Sequence, residues 1–341
     1  MDTLSLRAPP RLAIVVPCFN EERALPSTLV TLRARLEAMV AGGIVTADSF
    51  VLCVDDGSLD RTWEIIAAAH AAEGARVDGV RLAVNAGHQN ALLAGLMAAL
   101  PNCDVSISID ADLQDDPAAM DAMIEAHRRG AELVLGVRTS RPTDGWFKRG
   151  TAAAFYRGMR LLGADLVLQH ADFRLMSRAA MRNLAAFPEY HLFLRGLQRR
   201  LHDRVAHVHY DQRPRAEGES KYTLGRMVSL ALDGVTSFSV VPLRLIAVLG
   251  ALIFLVSSAL ALYALTIGLI GHTVPGWASI AVPLYAINGL TLFCLGIVGE
   301  YVGKIYMEAK QRPRYLIDET TLPERGEVAV DRRGGRTRGE G

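Results

Sequence analysis

The chain has 341 residues, and 37 Lys and Arg nearly balance 36 Asp and Glu for a formal net charge of +1, which removes any global electrostatic case for a nucleic-acid partner. Half of the residues are hydrophobic and the mean hydropathy is +0.20, high for a wholly water-soluble enzyme. The four cysteines, Cys18, Cys53, Cys103 and Cys294, show no CxxC or paired spacing, so they read as small buried hydrophobes of a reducing compartment, not as a disulfide framework or a zinc site.

No signal peptide is expected, because the first apolar run, Leu12 to Val16, is too short and ends in Pro17. From Arg11 to Val137 strands and helices alternate. Strands are expected at Leu12–Val16, Phe50–Val54, Gly79–Val84, Val105–Ile109 and Glu132–Val137. Helices are expected at Glu21–Met39, at Asp60–Ala72 behind an Asp cap, at His88–Leu100 before Pro101, and at Pro117–Arg129. Such alternation implies right-handed crossovers and a mainly parallel α/β sheet. The polar turns Pro17–Glu22, Asp55–Asp60, Asn85–Asn90 and Asp110–Asp116 then fall together at the carboxyl ends of the strands, where open α/β sheets bind ligands.

The most informative stretch is Ser106 to Pro117. A β-branched run ends in Asp110 and Asp112, two carboxylates at i and i+2. Hard oxygen donors this close suit Mg²⁺ or Mn²⁺ shared with substrate phosphates. The plainer alternative is a strand end followed by an acidic helix start.

Beyond the sheet the composition changes. Trp146–Leu162 carries apolar residues at helical spacing together with Lys148, Arg149, Arg157 and Arg160; it reads as an interfacial helix or as a helix packed on the sheet. Lys221–Val241 is a second segment of that kind. Leu245–Ile270 and Pro275–Gly299 contain no charged residue, and each exceeds the roughly 20 residues that span a bilayer. Arg226 and Arg244 precede this pair, Lys304, Lys310, Arg312 and Arg314 follow it, and the short loop Gly271–Gly276 has no Lys or Arg. A transmembrane hairpin with both flanks and the N-terminal domain in the cytoplasm is therefore expected. The tail from Glu319 to Gly341, rich in Arg, Gly and Glu, reads as disordered at its end. His207-Val208-His209 alternates like an exposed edge strand.

Several motifs occur in a fixed order: Val16-Pro17-Cys18-Phe19-Asn20-Glu21, Val54-Asp55-Asp56-Gly57-Ser58, Asn85-Ala86-Gly87-His88-Gln89-Asn90, Asp110-Ala111-Asp112-Leu113-Gln114 and Leu135-Gly136-Val137-Arg138. Together they resemble the GT-A-fold glycosyltransferases of family 2. His170-Ala171-Asp172-Phe173-Arg174, Phe193-Leu194-Arg195-Gly196, Arg215 to Tyr222 and Gly299 to Lys304 are similar to that family's polyprenyl-phosphate branch. The resemblance divides the chain into a glycosyltransferase domain over 1–215 (with the interfacial helix at about 146–162), a juxtamembrane segment 216–243, two transmembrane helices over 244–304, and a cytoplasmic tail 305–341.

The resemblance also implies roles. Asp110, Asp112 and Gln114 would hold Mg²⁺ or Mn²⁺. Pro17, Phe19, Glu21, Val54, Asp56, Ile109, Asp110, Ala111 and Arg138 would bind a nucleotide-sugar, with UDP the expected nucleotide. Arg215, Ser220 and Lys221, by their position just before the first span, would hold the phosphate of a polyprenyl (undecaprenyl) acceptor, or form a solvated basic loop on the membrane. Asp112, Arg138 and Asp172 would act in catalysis; Asp172 reads equally as a base or as a buried partner of Arg174. The expected product is one inverted sugar on the lipid phosphate, made at the cytoplasmic face of a bacterial inner membrane by a multi-pass protein, with homo-oligomerisation left open. The absence of a Gln-x-x-Arg-Trp element speaks for a single transfer per acceptor. The alternatives are transfer to a lipid or glycan hydroxyl, and a non-catalytic lipid- or nucleotide-binding scaffold.

Overall fold

The structure is a computed structural model that describes residues 7–72, 76–139, 170–187, 201–211, isolated positions between 243 and 259, and 277–323. The expected interfacial helix at 146–162, most of the juxtamembrane segment and first span, the 193–196 motif, Arg215, Ser220, Lys221 and the end of the tail lie outside these residues.

The chain divides into two units. One comprises 1–143, 167–220 and 313–341; the other comprises 144–166 and 221–312. The first is built on an eight-stranded sheet. In chain order it contains β1 (Leu12–Cys18), α1 (Leu25–Ala41), β2 (Phe50–Asp55), α2 (Thr62–Ala71), β3 (Val77–Leu82), α3 (His88–Ala99), β4 (Val105–Ser108), α4 (Ala119–Arg128) and β5 (Leu133–Arg138). Then follow β6 (His170–Ser177), α5 (Arg178–Ala185), β7 (Val205–Tyr210) and β8 (Ile317–Thr320). The strand order is β7-β5-β6-β4-β1-β2-β3-β8.

The pairs β1/β2, β1/β4, β2/β3 and β5/β7 are parallel. β6 is inserted antiparallel between β4 and β5, and β8 lies antiparallel on β3. The central strands are buried throughout, so β1 and β2 read LAIVVPC and FVLCVD with no polar alternation, as strands covered on both faces must. One core layer packs Leu25, Leu29, Leu32 and Leu36 of α1 against Ile14, Val16 and Ile107; the opposite layer packs Ala91, Leu92 and Leu96 of α3 against Val15, Leu52 and Val54. Cys18, Cys53 and Cys103 are buried free thiols.

Four sequence expectations change. The first helix starts at Leu25, four residues later than expected, with Pro26 in its first turn. The third strand runs over Val77–Leu82, two residues earlier than expected, because Val77 already pairs with Val51. β6 is an additional strand that hydropathy conceals, since it buries Asp172 and Arg174 beside Phe173 and Leu175. Residues 317–320 form β8, not loose tail.

In the second unit the described element is α6 (Trp277–Lys310), a helix of 34 residues. It exposes Ile280, Leu284, Leu295, Val298, Val302 and Ile305. Among the described residues, no helix is long and apolar enough to cross a membrane.

Candidate active site

The carboxyl ends of β1, β2 and β4 and the turn entering α3 enclose a cleft of about 400 Å³. Pro17, Phe19, Glu21, Asp56, Asp110, Ala111 and Asp112, all expected site residues, line it, joined by Cys18, Asn85, Gly87, His88 and Ala91. Val54 and Ile109 do not reach the cleft; both are fully buried in the core beneath it.

Backbone-to-side-chain bonds hold the three nucleotide-side turns together. Asn20, at φ 55°, donates its N–H to Ser58 Oγ (2.9 Å), and its own Oδ1 accepts from Leu59 N (2.9 Å). Glu21 N donates to Thr62 Oγ1 and Glu22 N to Asp60 Oδ2. Asp60 Oδ1 also accepts from Thr62 N at 3.0 Å, although Arg61, not the expected Asp, is the N-cap residue of α2. The Asp56 carboxylate accepts from Ala86 N (2.7 Å), Gly87 N (3.0 Å) and Asn85 Nδ2 (3.2 Å). Gly57 permits this meeting: it sits at φ 66°, and a Cβ there would come within 2.7 Å of the Val84–Asn85 backbone.

The acidic floor carries the chemistry. The Asp110 side chain is 36% exposed toward the cleft, yet its Oδ1 is sealed and lacks a hydrogen-bond partner among the described residues. Burial pushes this carboxyl up to about 6; His88 opposes the shift, and Asp172, Asp115 and Asp112 add to it. Glu21 is raised too, by burial and then by Asp112, Asp60 and Asp110. Asp56 is raised by burial, against the pull of the Ala86 and Gly87 N–H groups. Asp112 lies against Gln114, which donates through its side-chain amide and its backbone N–H.

The sequence reading left His88 without a role. It stands at the start of α3, with Nε2 3.2 Å from Asp172 Oδ2 and 3.7 Å from Asp110 Oδ1. One ligand atom from each of His88, Asp110 and Asp172 lies within 4.8 Å of the others. Gln89 Nε2 also donates to Asp172 Oδ2 (3.4 Å), and buried Arg174 donates to Asp172 Oδ1 at 2.5 Å. Asp172 therefore has Arg174 as a partner and also faces the acidic floor. The Asn85–Asn90 motif brought His88 to the cleft, but its contact with Asp172, 84 residues away, leaves no local signal.

A sealed carboxylate oxygen without a hydrogen bond, amid carboxylates and an imidazole, fits a divalent cation, for which oxygen and nitrogen donors suit Mg²⁺ or Mn²⁺. Arg138, at the end of β5, is anchored on buried Asp115: Nε and Nη2 each lie 3.0 Å from Oδ1, and Tyr210 OH donates to the same oxygen at 2.6 Å. This fixes Arg138 at the cleft end of the sheet.

Comparison with known proteins agrees with this geometry. The model of the family described as "Glycosyl transferase family 2" matches residues 13–185. An uncharacterized glycosyltransferase of Bacillus subtilis strain 168, YkoT, is 45% identical over 309 residues, covering 91% of both chains. The bactoprenol glucosyl transferase of Shigella phage SfV is 35% identical over 309 residues, covering 90% of this chain and 98% of the phage protein.

Proposed function

This chain belongs to glycosyl transferase family 2 and is a transferase enzyme; on that premise we propose that it moves one sugar from a nucleotide-sugar, with UDP as the nucleotide, to a polyprenyl phosphate. The observation that carries the proposal is the acidic floor: Asp110, Asp112, Asp172 and His88 converge beside the pocket formed by Pro17, Phe19, Glu21 and Asp56. The acceptor assignment draws on the similarity to a bactoprenol glucosyl transferase.

Each part of the site has a task. The stapled turns hold Phe19 and Asp56 as walls for the nucleoside. Asp110 and Asp112, with Gln114, would hold Mg²⁺ or Mn²⁺, whose charge stabilises a departing nucleoside diphosphate. So many carboxylates in one cleft repel a bare diphosphate, so donor and cation suit this site only together. Arg138, held by Asp115 and Tyr210, offers a fixed cation at the sheet end.

A phosphate monoester has a second pKa of about 6 and is largely dianionic at neutral pH. It attacks without a general base, and in-line displacement inverts the anomeric carbon. Arg215, Ser220 and Lys221 are our assignment for holding that phosphate. A hydroxyl acceptor would instead need a base. The carboxylate available for that is Asp172, whose two oxygens are already engaged by Arg174, His88 and Gln89, so the phosphate acceptor is the better reading.

We assign the reaction to the cytoplasmic face of a bacterial inner membrane, anchored by a hairpin over 244–304. Two uncharged runs between basic flanks support this, as does the apolar surface of α6. The chain also leaves the sheet unit before these runs and rejoins it at β8, which supports placing both flanks on one side. The test is to incubate the full chain in lipid vesicles with undecaprenyl phosphate, Mn²⁺ and a panel of nucleotide-sugars. One sugar per lipid phosphate is expected, and none with Asp112→Ala. Transfer that proceeds only to hydroxyl acceptors would overturn the reading.

A further inference from the structure

We propose that the C-terminal strand β8 is a positioning element for the donor site, acting through Arg81 and Asp55 on the turns that form the nucleotide side of the cleft. The proposal rests on the nucleotide-sugar reading above and assigns part of that site to a distant segment.

β8 has only four residues, Ile317–Thr320, all exposed. Its attachment is therefore mainly through backbone. Thr321 N donates to Gly79 O (2.9 Å), Gly79 N donates back to Thr321 Oγ1 (2.8 Å), and Ala83 N donates to Leu316 O (2.9 Å). Tyr315 and Leu322 pack on the core at its two ends.

Its side chains extend the contact inward. Glu319 accepts from Trp63 Nε1 at 3.0 Å and lies 3.5 Å from Arg81 Nη1. The Arg81 guanidinium stands 6.0 Å from the Trp63 ring centroid, and its Nε is 3.7 Å from Asp55 Oδ2. Asp55 is fully buried, and this oxygen has no hydrogen-bond partner among the described residues. A buried carboxylate needs a nearby cation to remain charged without large penalty.

Asp55 in turn caps the turn beyond it, with Oδ1 accepting from Ser58 N at 3.1 Å. Ser58 Oγ holds Asn20 N, and Asn20 lies between Phe19 and Glu21 of the cleft wall. The exposed Arg81–Glu319 pair alone is weak. The strand matters because it fixes the β3 edge from which Arg81 projects. Without β8, Arg81 can turn to solvent and leave Asp55 as an unpaired buried charge beneath the donor turns.

Two full-chain variants test this. Thr321→Pro removes both bonds to Gly79. Arg81→Met keeps an apolar stem over Trp63, leaves β8 intact and removes the charge. Hydrogen exchange of the ligand-free protein should rise over 17–22 and 55–60 in both variants, while β4 and β6 stay protected. The dissociation constant of UDP with Mn²⁺ should rise about fivefold or more, the lower end of ordinary coupling between sites. The donor KM should follow it, with the acceptor KM unchanged. Wild-type exchange at both turns together with unchanged UDP affinity would overturn the inference. The exchange readout requires no nucleotide. A wild-type protein that fails to bind UDP would thus count against the donor reading alone, and exchange would still decide the role of β8.

Discussion

Asp172→Ala should be among the more destabilising single changes at this site, and the reason is Arg174. The two are joined at 2.5 Å, with side chains 6% and 1% exposed. Removing one partner takes the closest opposite charge away from a buried guanidinium, and breaking a buried pair in this way costs about 3–5 kcal/mol. At about 2–4 °C per kcal/mol for a domain of roughly 150–250 residues, the melting temperature should fall by about 6–20 °C. Asp172→Ala/Arg174→Met should recover most of that loss, because no buried charge remains. The assay is thermal melting followed by Trp fluorescence, with transfer activity measured on the recovered double variant. A double variant that is stable and inactive would show that Asp172 also serves the reaction; one that is stable and active would limit it to pairing Arg174. A fall of less than about 2 °C for Asp172→Ala would refute the buried-pair argument, since it lies far below the range worked from that geometry.

Tyr210→Phe keeps the edge-to-face packing on Phe173 (5.2 Å, 87°) and removes one bond to buried Asp115; it should cost about 1.5–3 kcal/mol by denaturant titration, the range for a bond to a charged group. The Asp110 carboxyl, at about 6 in the fold, lies above its unfolded value of about 3.9. Its contribution to stability is therefore full below about pH 4 and is lost as pH rises through about 6. A cation binds the charged form, so the rise in melting temperature caused by Mn²⁺ should be small at pH 5 and large at pH 7, and Asp110→Asn should flatten that trend. With native cysteines replaced, a cysteine at Thr273 should react with an impermeant thiol reagent outside intact cells and one at Thr320 should not; the opposite pattern would refute the hairpin.

Much of the sheet was legible because β1 and β2 are nearly continuous apolar runs ending in polar turns. Burial on both faces writes itself directly into composition. The cleft followed from those turns, and Asp110 and Asp112 stand where the strand ends predicted. Two strands were hidden for opposite physical reasons. β6 carries a buried ion pair, so charge at Asp172 and Arg174 masks a core strand. β8 is polar and fully exposed, so its attachment by main-chain bonds leaves no hydropathy signal. Val54 and Ile109 illustrate a further limit. Motif membership placed them at the nucleotide, whereas their side chains are fully buried in the core beneath the cleft.

The place of β8 in the sheet also sets an order of assembly. A ribosome makes β3 early and residues 317–320 only after the whole apolar stretch from 245 to 299 has been made. Throughout that interval the outer edge of β3 presents unpaired main-chain groups, a template on which another strand can add. Gly79, whose N–H and C=O both end on Thr321, must wait until the apolar stretch has been synthesised. Completion of the sheet therefore cannot precede synthesis of the apolar stretch. A chain truncated within that stretch would keep every strand that carries the acidic floor and still expose an open, aggregation-prone edge.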